Sequence, residues 1–250
     1  VNLTAENYFS QEAQREYMSA SQFKAFDRCE ASAAAELRGE YVRDESTSLL
    51  IGSYIDAYFS GELGQFRMDY PNIFKRDGAL KTEYVQAEDI IQRIERDPMF
   101  MKYISGKNQV IMTGEIDGVP VKIKMDSYHP DRAIVDLKIM RDFQPVWVDG
   151  KGKLPFAEAW GYDIQGAIYR AVEGNSLPFI LAAATKEKVP DIALISIPTD
   201  VLNTAAEYVI SKIRRFADIK RGRIAPERCG RCDYCKSTKR LDCIVDYRDV

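Results

Sequence analysis

Between residues 110 and 140 the chain reads VIMTGEIDGVPVKIKMDSYHPDRAIVDLKIM, and this stretch narrows the available folds more than any other. Asp117-Gly118 is a dipeptide that tight hairpins prefer, because the turn needs residues that tolerate positive φ. It joins a strand over 110–116 to one over 119–126. A second turn around His129-Pro130-Asp131 leads into a third strand over 133–140. Side chains alternate faces along a strand. Val121, Ile123 and Met125 therefore share one face, and Lys122, Lys124 and Asp126 the other. In the third strand Val135, Leu137 and Ile139 point one way, Asp136 and Lys138 the other. The pattern is D-(x)9-D-x-K. Two carboxylates on neighbouring strands can share a hard divalent cation through oxygen ligands. A lysine two residues on can orient a water or offset charge at a phosphate. Alternating Asp and Lys is also the ordinary pattern of a solvated strand face, so the rest of the chain has to decide between the two.

The 250 residues are 46% hydrophobic and 29% charged, which suits one globular domain with appendages. No apolar run approaches the ~18 residues of a membrane span, and the first residues lack a secretory pattern. A net charge of −3 excludes a general polycation, so any nucleic-acid site must be a local basic patch. Four of the five cysteines, Cys229, Cys232, Cys235 and Cys243, crowd the end of the chain; Cys29 stands alone. An odd count with x2 spacings and no secretion signal points to metal ligands rather than disulfides.

Residues 1–18 read as a peripheral lead-in. Ser19 with Gln22 three residues on fits a helix start. That helix runs to about 37 on Phe23, Phe26, Ala33 and Leu37. A second helix covers 48–59 and carries Asp56 among apolar neighbours, where a carboxylate must be paired, metal-bound or turned to solvent. A Pro/Gly-containing loop over 70–82 bears Lys75, Arg76 and Lys81. A helix over 83–97 stops before Pro98. After the three strands, a loop over 141–156 carries Trp147, Lys151 and Lys153. A helix over 157–172 follows, with Trp160, Ile164, Ile168 and Ala171 as its core stripe; Gln165 and Tyr169 lie beside that stripe, one turn apart. Strands over 179–184 and 192–197 precede a long helix over 200–220. This order predicts an α/β class with a mixed central sheet flanked by helices.

The set resembles the PD-(D/E)XK nuclease superfamily, whose core is an αβββαβ unit, over roughly residues 19–243. Asp126 after VKIKM resembles the metal-binding aspartate of its second motif, and Asp136-Leu137-Lys138 the (D/E)-x-K motif. Gln165-x-x-x-Tyr169 resembles the Q-x-x-x-Y motif of the RecB-type branch. Gly52-Ser-Tyr-Ile-Asp56 resembles the first-helix motif, with Asp where many relatives carry His or Glu. LLIGSYIDAYFSG, the FK-x-x-G-x-LKT loop and CGRCDYC are similar to the phage and prophage RecE-like (exonuclease VIII-like) exonucleases.

The resemblance implies a cytoplasmic, Mg²⁺- or Mn²⁺-dependent deoxyribonuclease of a bacterial or phage-infected cell. Asp126 and Asp136 would hold the metal, with Asp56, the Leu137 carbonyl and Glu115 as further ligand candidates. Lys138, Gln165 and Tyr169 would complete the catalytic set. Lys75, Arg76, Lys81, Lys151 and Lys153 are candidate phosphate contacts. DNA is the implied partner, with a single-strand annealing protein and further copies of the chain as candidates. Rival readings are a non-catalytic DNA-binding module of the same fold and a zinc-ribbon interaction protein.

For the cysteines two readings stand. Zinc would take the local Cys229, Cys232, Cys235 and Cys243. The likeness to iron-staple nucleases instead implies a [4Fe–4S] cluster held by Cys29 and three C-terminal cysteines, either Cys232/Cys235/Cys243 or Cys229/Cys232/Cys235. That staple would fold residues 226–250 back on the N-terminal helix of a single nuclease domain with its core at 19–225.

Overall fold

The computed structural model describes residues 2–249 except 45, 149, 242 and 245. Its meander is β1 (Lys107–Ile116), β2 (Val119–His129) and β3 (Ala133–Met140), antiparallel throughout. A small hairpin, β4 (Val146–Val148) with β5 (Gly152–Leu154), stands outside the main sheet. The chain then returns as β6 (Phe179–Thr185), parallel to β3, and β7 (Ile192–Ser196) closes the sheet antiparallel to β6. The order is β1-β2-β3-β6-β7, a mixed sheet as the element order predicts.

Helices cover both faces. They are α1 (Gln11–Glu16), α2 (Ala20–Arg28), α3 (Glu30–Arg38), α4 (Thr47–Ser60), α5 (Leu63–Asp69), α6 (Gln86–Glu95) and α7 (Pro98–Ile104) before the sheet. After β5 come α8 (Phe156–Ala159), α9 (Tyr162–Glu173), α10 (Thr199–Lys220) and α11 (Asp233–Ser237). One core joins α2, α9 and α10 to the sheet through Phe23, Ile168 and Phe216 against Val121, Ile134 and Phe179. The other joins α4, α6 and α7 through Ile55, Ile90 and Phe100 against Val135 and Ala182. Among the described residues no helix is long and apolar enough to cross a membrane.

Several local expectations change. The helix expected over 19–37 breaks at Cys29, whose extended backbone (φ −164°, ψ 107°) ends α2 and caps α3. Ser19 caps α2 by accepting from Gln22 N, but the Gln22 amide goes to Gln14 instead of back to the cap. Pro98 opens a further helix, α7, whose cap is Asp97 accepting from Phe100 N at 2.8 Å. The helix expected from 157 is interrupted at Gly161 (φ +64°), and Trp160 faces solvent, 52% exposed, rather than the core. Lys122 is fully buried, its Nζ donating to Tyr8 O and lying over the Tyr8 ring. The first 18 residues are correspondingly not peripheral. Tyr8, Ala13 and Met18 are buried, and Met18 bridges to Val121.

Candidate functional site

β2 and β3 form a fork. Their ladder runs from His129↔Ala133 to Ser127↔Val135 and stops there. Continued by one step, the register would set Asp126 opposite Asp136. Instead the Asp126 side chain replaces the ladder: its Oδ2 accepts from Leu137 N at 3.0 Å. The alternation of faces fails at this point too, since Met125 and Tyr128, three residues apart, pack into the same core. Across the sheet Gln109 takes a left-handed conformation (φ 53°) between the paired residues Asn108 and Val110. The irregular backbone thus lies where the two carboxylates diverge from the sheet, as bulges beside functional sites commonly do.

Helix α9, in the crossover between β3 and β6, braces both prongs. Gln165 Nε2 donates to Asp136 Oδ1 at 2.7 Å, and Tyr169 OH donates to Lys124 O on β2 at 2.9 Å. The four-residue spacing puts both groups on one helix face. Asp136 is 1% exposed and Gln165 6%. Asp136 Oδ2 is ion-paired with Lys138 Nζ.

Helix α4 supplies the third carboxylate. Asp56, Asp126, Leu137, Lys138, Tyr162 and Lys186 are among the residues lining one cavity of about 490 Å³, while Asp136 lies behind it. Gly52 borders the cavity one turn before Asp56, and a Cβ there would come within 3.9 Å of Ile139. Burial pushes the Asp126 carboxyl well above its usual range, and the Asp136 charge adds to the effect. Asp56 rises by burial as well, with Lys138 opposing and Asp136 reinforcing. For Lys138, burial works against the charge, but Asp136 and Asp126 outweigh it and hold the ammonium above its usual pKa. Crowded carboxylates, Asp136 buried and Asp56 and Asp126 half-buried at the cavity, make the hard-oxygen donor set that a Mg²⁺- or Mn²⁺-sized cation satisfies. The residues fit such an ion.

The other site candidates are elsewhere. Glu115 is exposed opposite Pro120, six residues along β1 from Gln109, or about 20 Å of strand. Lys75 and Arg76 are exposed and Lys81 half-buried, around a short bridge between Phe74 and Leu80; none lines the cavity. Lys151 and Lys153 lie on the β4–β5 hairpin, where exposed Lys153 pairs in register with Trp147, 72% exposed. Two residues that line the cavity, Tyr162 and Lys186, and one that reaches Gln165, Lys24, belong to none of the motifs. Lys186 follows β6 directly and donates to Ser48 O at 3.2 Å; Tyr162 opens α9; Lys24 reaches Gln165 from α2. The only sequence signal for Lys24 is its place inside SASQFKAFDRC.

The cysteines gather into one group. Sγ atoms of Cys29, Cys229, Cys232 and Cys235 all lie within 4.8 Å of one another, and Cys243 is exposed and outside the group. Backbone N–H groups of Ser32, Cys232 and Cys235 donate to the sulfurs of Cys29, Cys229 and Cys232. Such bonds suit thiolates. The local four-cysteine set that includes Cys243 is therefore not assembled, whereas Cys29 does join the C-terminal trio. A sulfur tetrahedron with edges of 4.8 Å or less has room for one ion at most about 2.9 Å from each sulfur.

No curated, functionally described protein matches the chain. A crystal structure from Eubacterium rectale, described as a "putative exonuclease", superposes with a TM-score of 0.93. It is 46% identical and covers 100% of this chain and 98% of that one. The sequence profile of a PDDEXK-like domain of unknown function (DUF3799) matches residues 19–238. With the forked sheet, the D-(x)9-D-x-K residues at its opening and the bracing glutamine and tyrosine, this places the chain in that PDDEXK-like family.

Proposed function

We propose that the chain is a divalent-metal-dependent deoxyribonuclease. The observation that carries this reading is the fork, which turns Asp126, Asp136 and Lys138 from a strand pattern into one partly buried cluster at the cavity that Asp56 also lines. Asp126 and Asp136 would hold Mg²⁺ or Mn²⁺, with Asp56 and the Leu137 carbonyl completing the set. When bound, the ion would supply an acidified water and positive charge at the scissile phosphate. Leu137 N holds the Asp126 carboxylate and Gln165 holds that of Asp136, so neither reorganises during reaction. Lys138, kept protonated by its acidic neighbours, offsets charge developing on the phosphate. Tyr169 keeps β2 in place through the Lys124 carbonyl.

Action on duplex ends, as an exonuclease working beside a single-strand annealing protein, is the finer reading. The resemblance to RecE-like exonucleases and the name of the E. rectale relative support it. Lys153 and Trp147, sharing one exposed hairpin face, are the best-placed of the DNA-contact candidates, since a cation beside a flat aromatic suits a strand with unstacked bases. The four assembled cysteines fit a single tetrahedral zinc ion, for which Zn–S bonds of ~2.3 Å give sulfur separations of about 3.8 Å. The pairs Cys29–Cys235 and Cys229–Cys235 are 3.6 and 3.9 Å apart. Zinc there would tie α2 and α3 to the C-terminal segment.

The decisive assay digests end-labelled linear and circular duplex DNA with Mg²⁺. Linear DNA should be degraded and circular DNA spared, and Asp136→Asn should lose at least about a hundredfold in rate with its fold intact. A folded Asp136→Asn protein with full activity refutes the site. DNA binding by the unmodified chain without digestion would favour the non-catalytic module.

A further inference from the structure

Gln165 is a buried amide whose two ends face opposite charges. Its Nε2 meets Asp136 Oδ1 at 2.7 Å, where only a donor is tolerated; its Oε1 meets Lys24 Nζ at 3.4 Å, where only an acceptor is. An amide can turn over and exchange these ends, and only its neighbours set which way it stands. Asp136 alone would impose one orientation, but a buried Oε1 without a donor would then be left unsatisfied. Lys24 removes that cost.

The lysine has a built place. Trp160 O accepts a second bond from Nζ at 3.5 Å, and the Tyr162 ring lies under the ammonium, 5.2 Å to its centre. Between them, a Cβ on Gly161 would meet Lys24 Cδ at 2.9 Å. The helix break at residues 160–161 therefore does two things: it frees the carbonyl that receives the ammonium, and it clears the space its stem crosses. Burial draws the Lys24 pKa down to about 8, with Lys138 adding to the effect.

We propose that Lys24 is a positioning residue of the catalytic site: it fixes the orientation of the Gln165 amide, and through it the Asp136 carboxylate, so that Asp136 presents its Oδ2, the oxygen ion-paired with Lys138, to a metal ion. The inference rests on the metal-site reading above and extends it to α2, an element that carries none of the site's carboxylates.

The test is Mn²⁺ binding by titration calorimetry, on the full chain with no DNA present. Lys24→Met keeps the stem and removes the charge; Lys24→Arg keeps a cationic donor. Lys24→Met should weaken Mn²⁺ binding about tenfold, the usual size for losing a partner behind a metal ligand, and Lys24→Arg should recover most of it. Gly161→Ala, which displaces the same lysine without altering it, should act in the same direction and stands in if Lys24→Met does not fold. With DNA and Mn²⁺, kcat should fall while KM for DNA stays put. Wild-type Mn²⁺ affinity in folded Lys24→Met overturns the proposal. So does a raised KM with unchanged kcat, which would make Lys24 a DNA contact. A wild-type chain that binds Mn²⁺ but cleaves no DNA would sink the nuclease reading alone, and the affinity comparison would still judge Lys24. A wild-type chain that binds no Mn²⁺ overturns both.

Discussion

Gly166, the residue after Gln165, is where helix packing and site geometry meet, and Gly166→Ala separates the two. An added Cβ would lie 2.5 Å from Phe179 Cδ1 and 2.7 Å from Leu202 Cδ2. Neither neighbour can yield easily, Phe179 being 0% and Leu202 2% exposed. Carbon–carbon contacts settle near ~3.5–4.0 Å, so α9 has to withdraw by about 1 Å. Overpacking of this kind costs ~1–3 kcal/mol, and two clashes against a rigid core put it at the upper end. Alanine in a helix interior returns ~1 kcal/mol relative to glycine. The net loss is about 2 kcal/mol, which a domain with typical stability of ~5–15 kcal/mol survives. The site suffers more. A withdrawal of about 1 Å stretches the 2.7 Å bond from Gln165 to Asp136 beyond hydrogen-bonding range. A hydrogen bond to a charged group contributes ~1.5–3 kcal/mol, so cleavage should fall roughly ten- to a hundredfold in protein that is still folded. Urea unfolding gives the first quantity and Mg²⁺-dependent digestion of a linear duplex the second. Unchanged stability would mean that the α9–β6 contact is not tight. Activity falling only with the folded fraction would mean that the Gln165–Asp136 bond does not matter to the chemistry.

Two further outcomes follow from sites outside the fork. Cys29→Ser should lose its metal and much stability while Cys243→Ser keeps both; the wild-type protein should be colourless and contain one zinc per chain by elemental analysis, and brown protein containing iron would refute the single-ion assignment. Burial draws Lys220 down to about 7, helped by Lys122 and Arg221. An unfolded lysine titrates near ~10.4, so between these values the folded chain binds fewer protons and its stability rises with pH, by at most about 1.4 kcal/mol per unit. The penalty is present in full below pH ~7, and the neutral amine can still donate to Tyr17 O and Gln22 Oε1. Lys220→Met should therefore flatten the rise in urea stability from pH 7 to 9, and an unchanged slope would remove Lys220 as its source.

The strands of the meander and the helix after it were legible because each is a local pattern: period-two alternation, an Asp-Gly turn, a Gln and Tyr one turn apart. The same locality explains the errors. A continuous helix through Cys29 is what apolar spacing suggests, and nothing within a few residues shows that the C-terminal segment, through Glu227 O accepting from Ala31 N, rewards a break. Trp160 fits a core stripe until Gly161 turns the chain. Lys122 looks solvated until Tyr8, more than a hundred residues away, supplies an acceptor and a ring. Lys186 carries no motif and Lys24 only its place inside SASQFKAFDRC, since each is brought to the site by tertiary packing. The cysteines show the converse: x2 spacing marked the trio, but which fifth sulfur stays out depended on the path of the last residues.

The fork has a cost at its other end. Where β3 leaves β2, the inner edge of β2 would stand with bare N–H and C=O groups in the middle of the sheet. Residues just before α2 fill it: Met18 N donates to Pro120 O at 2.8 Å and Lys122 N donates to Met18 O at 2.9 Å. An open strand edge is a template for another chain. Shortening the chain to Ser19 would remove this plug together with Tyr8, the acceptor of the buried Lys122. The trimmed protein should then tend to self-associate through β2, and the opening that lets two carboxylates part for chemistry would become a seam for aggregation.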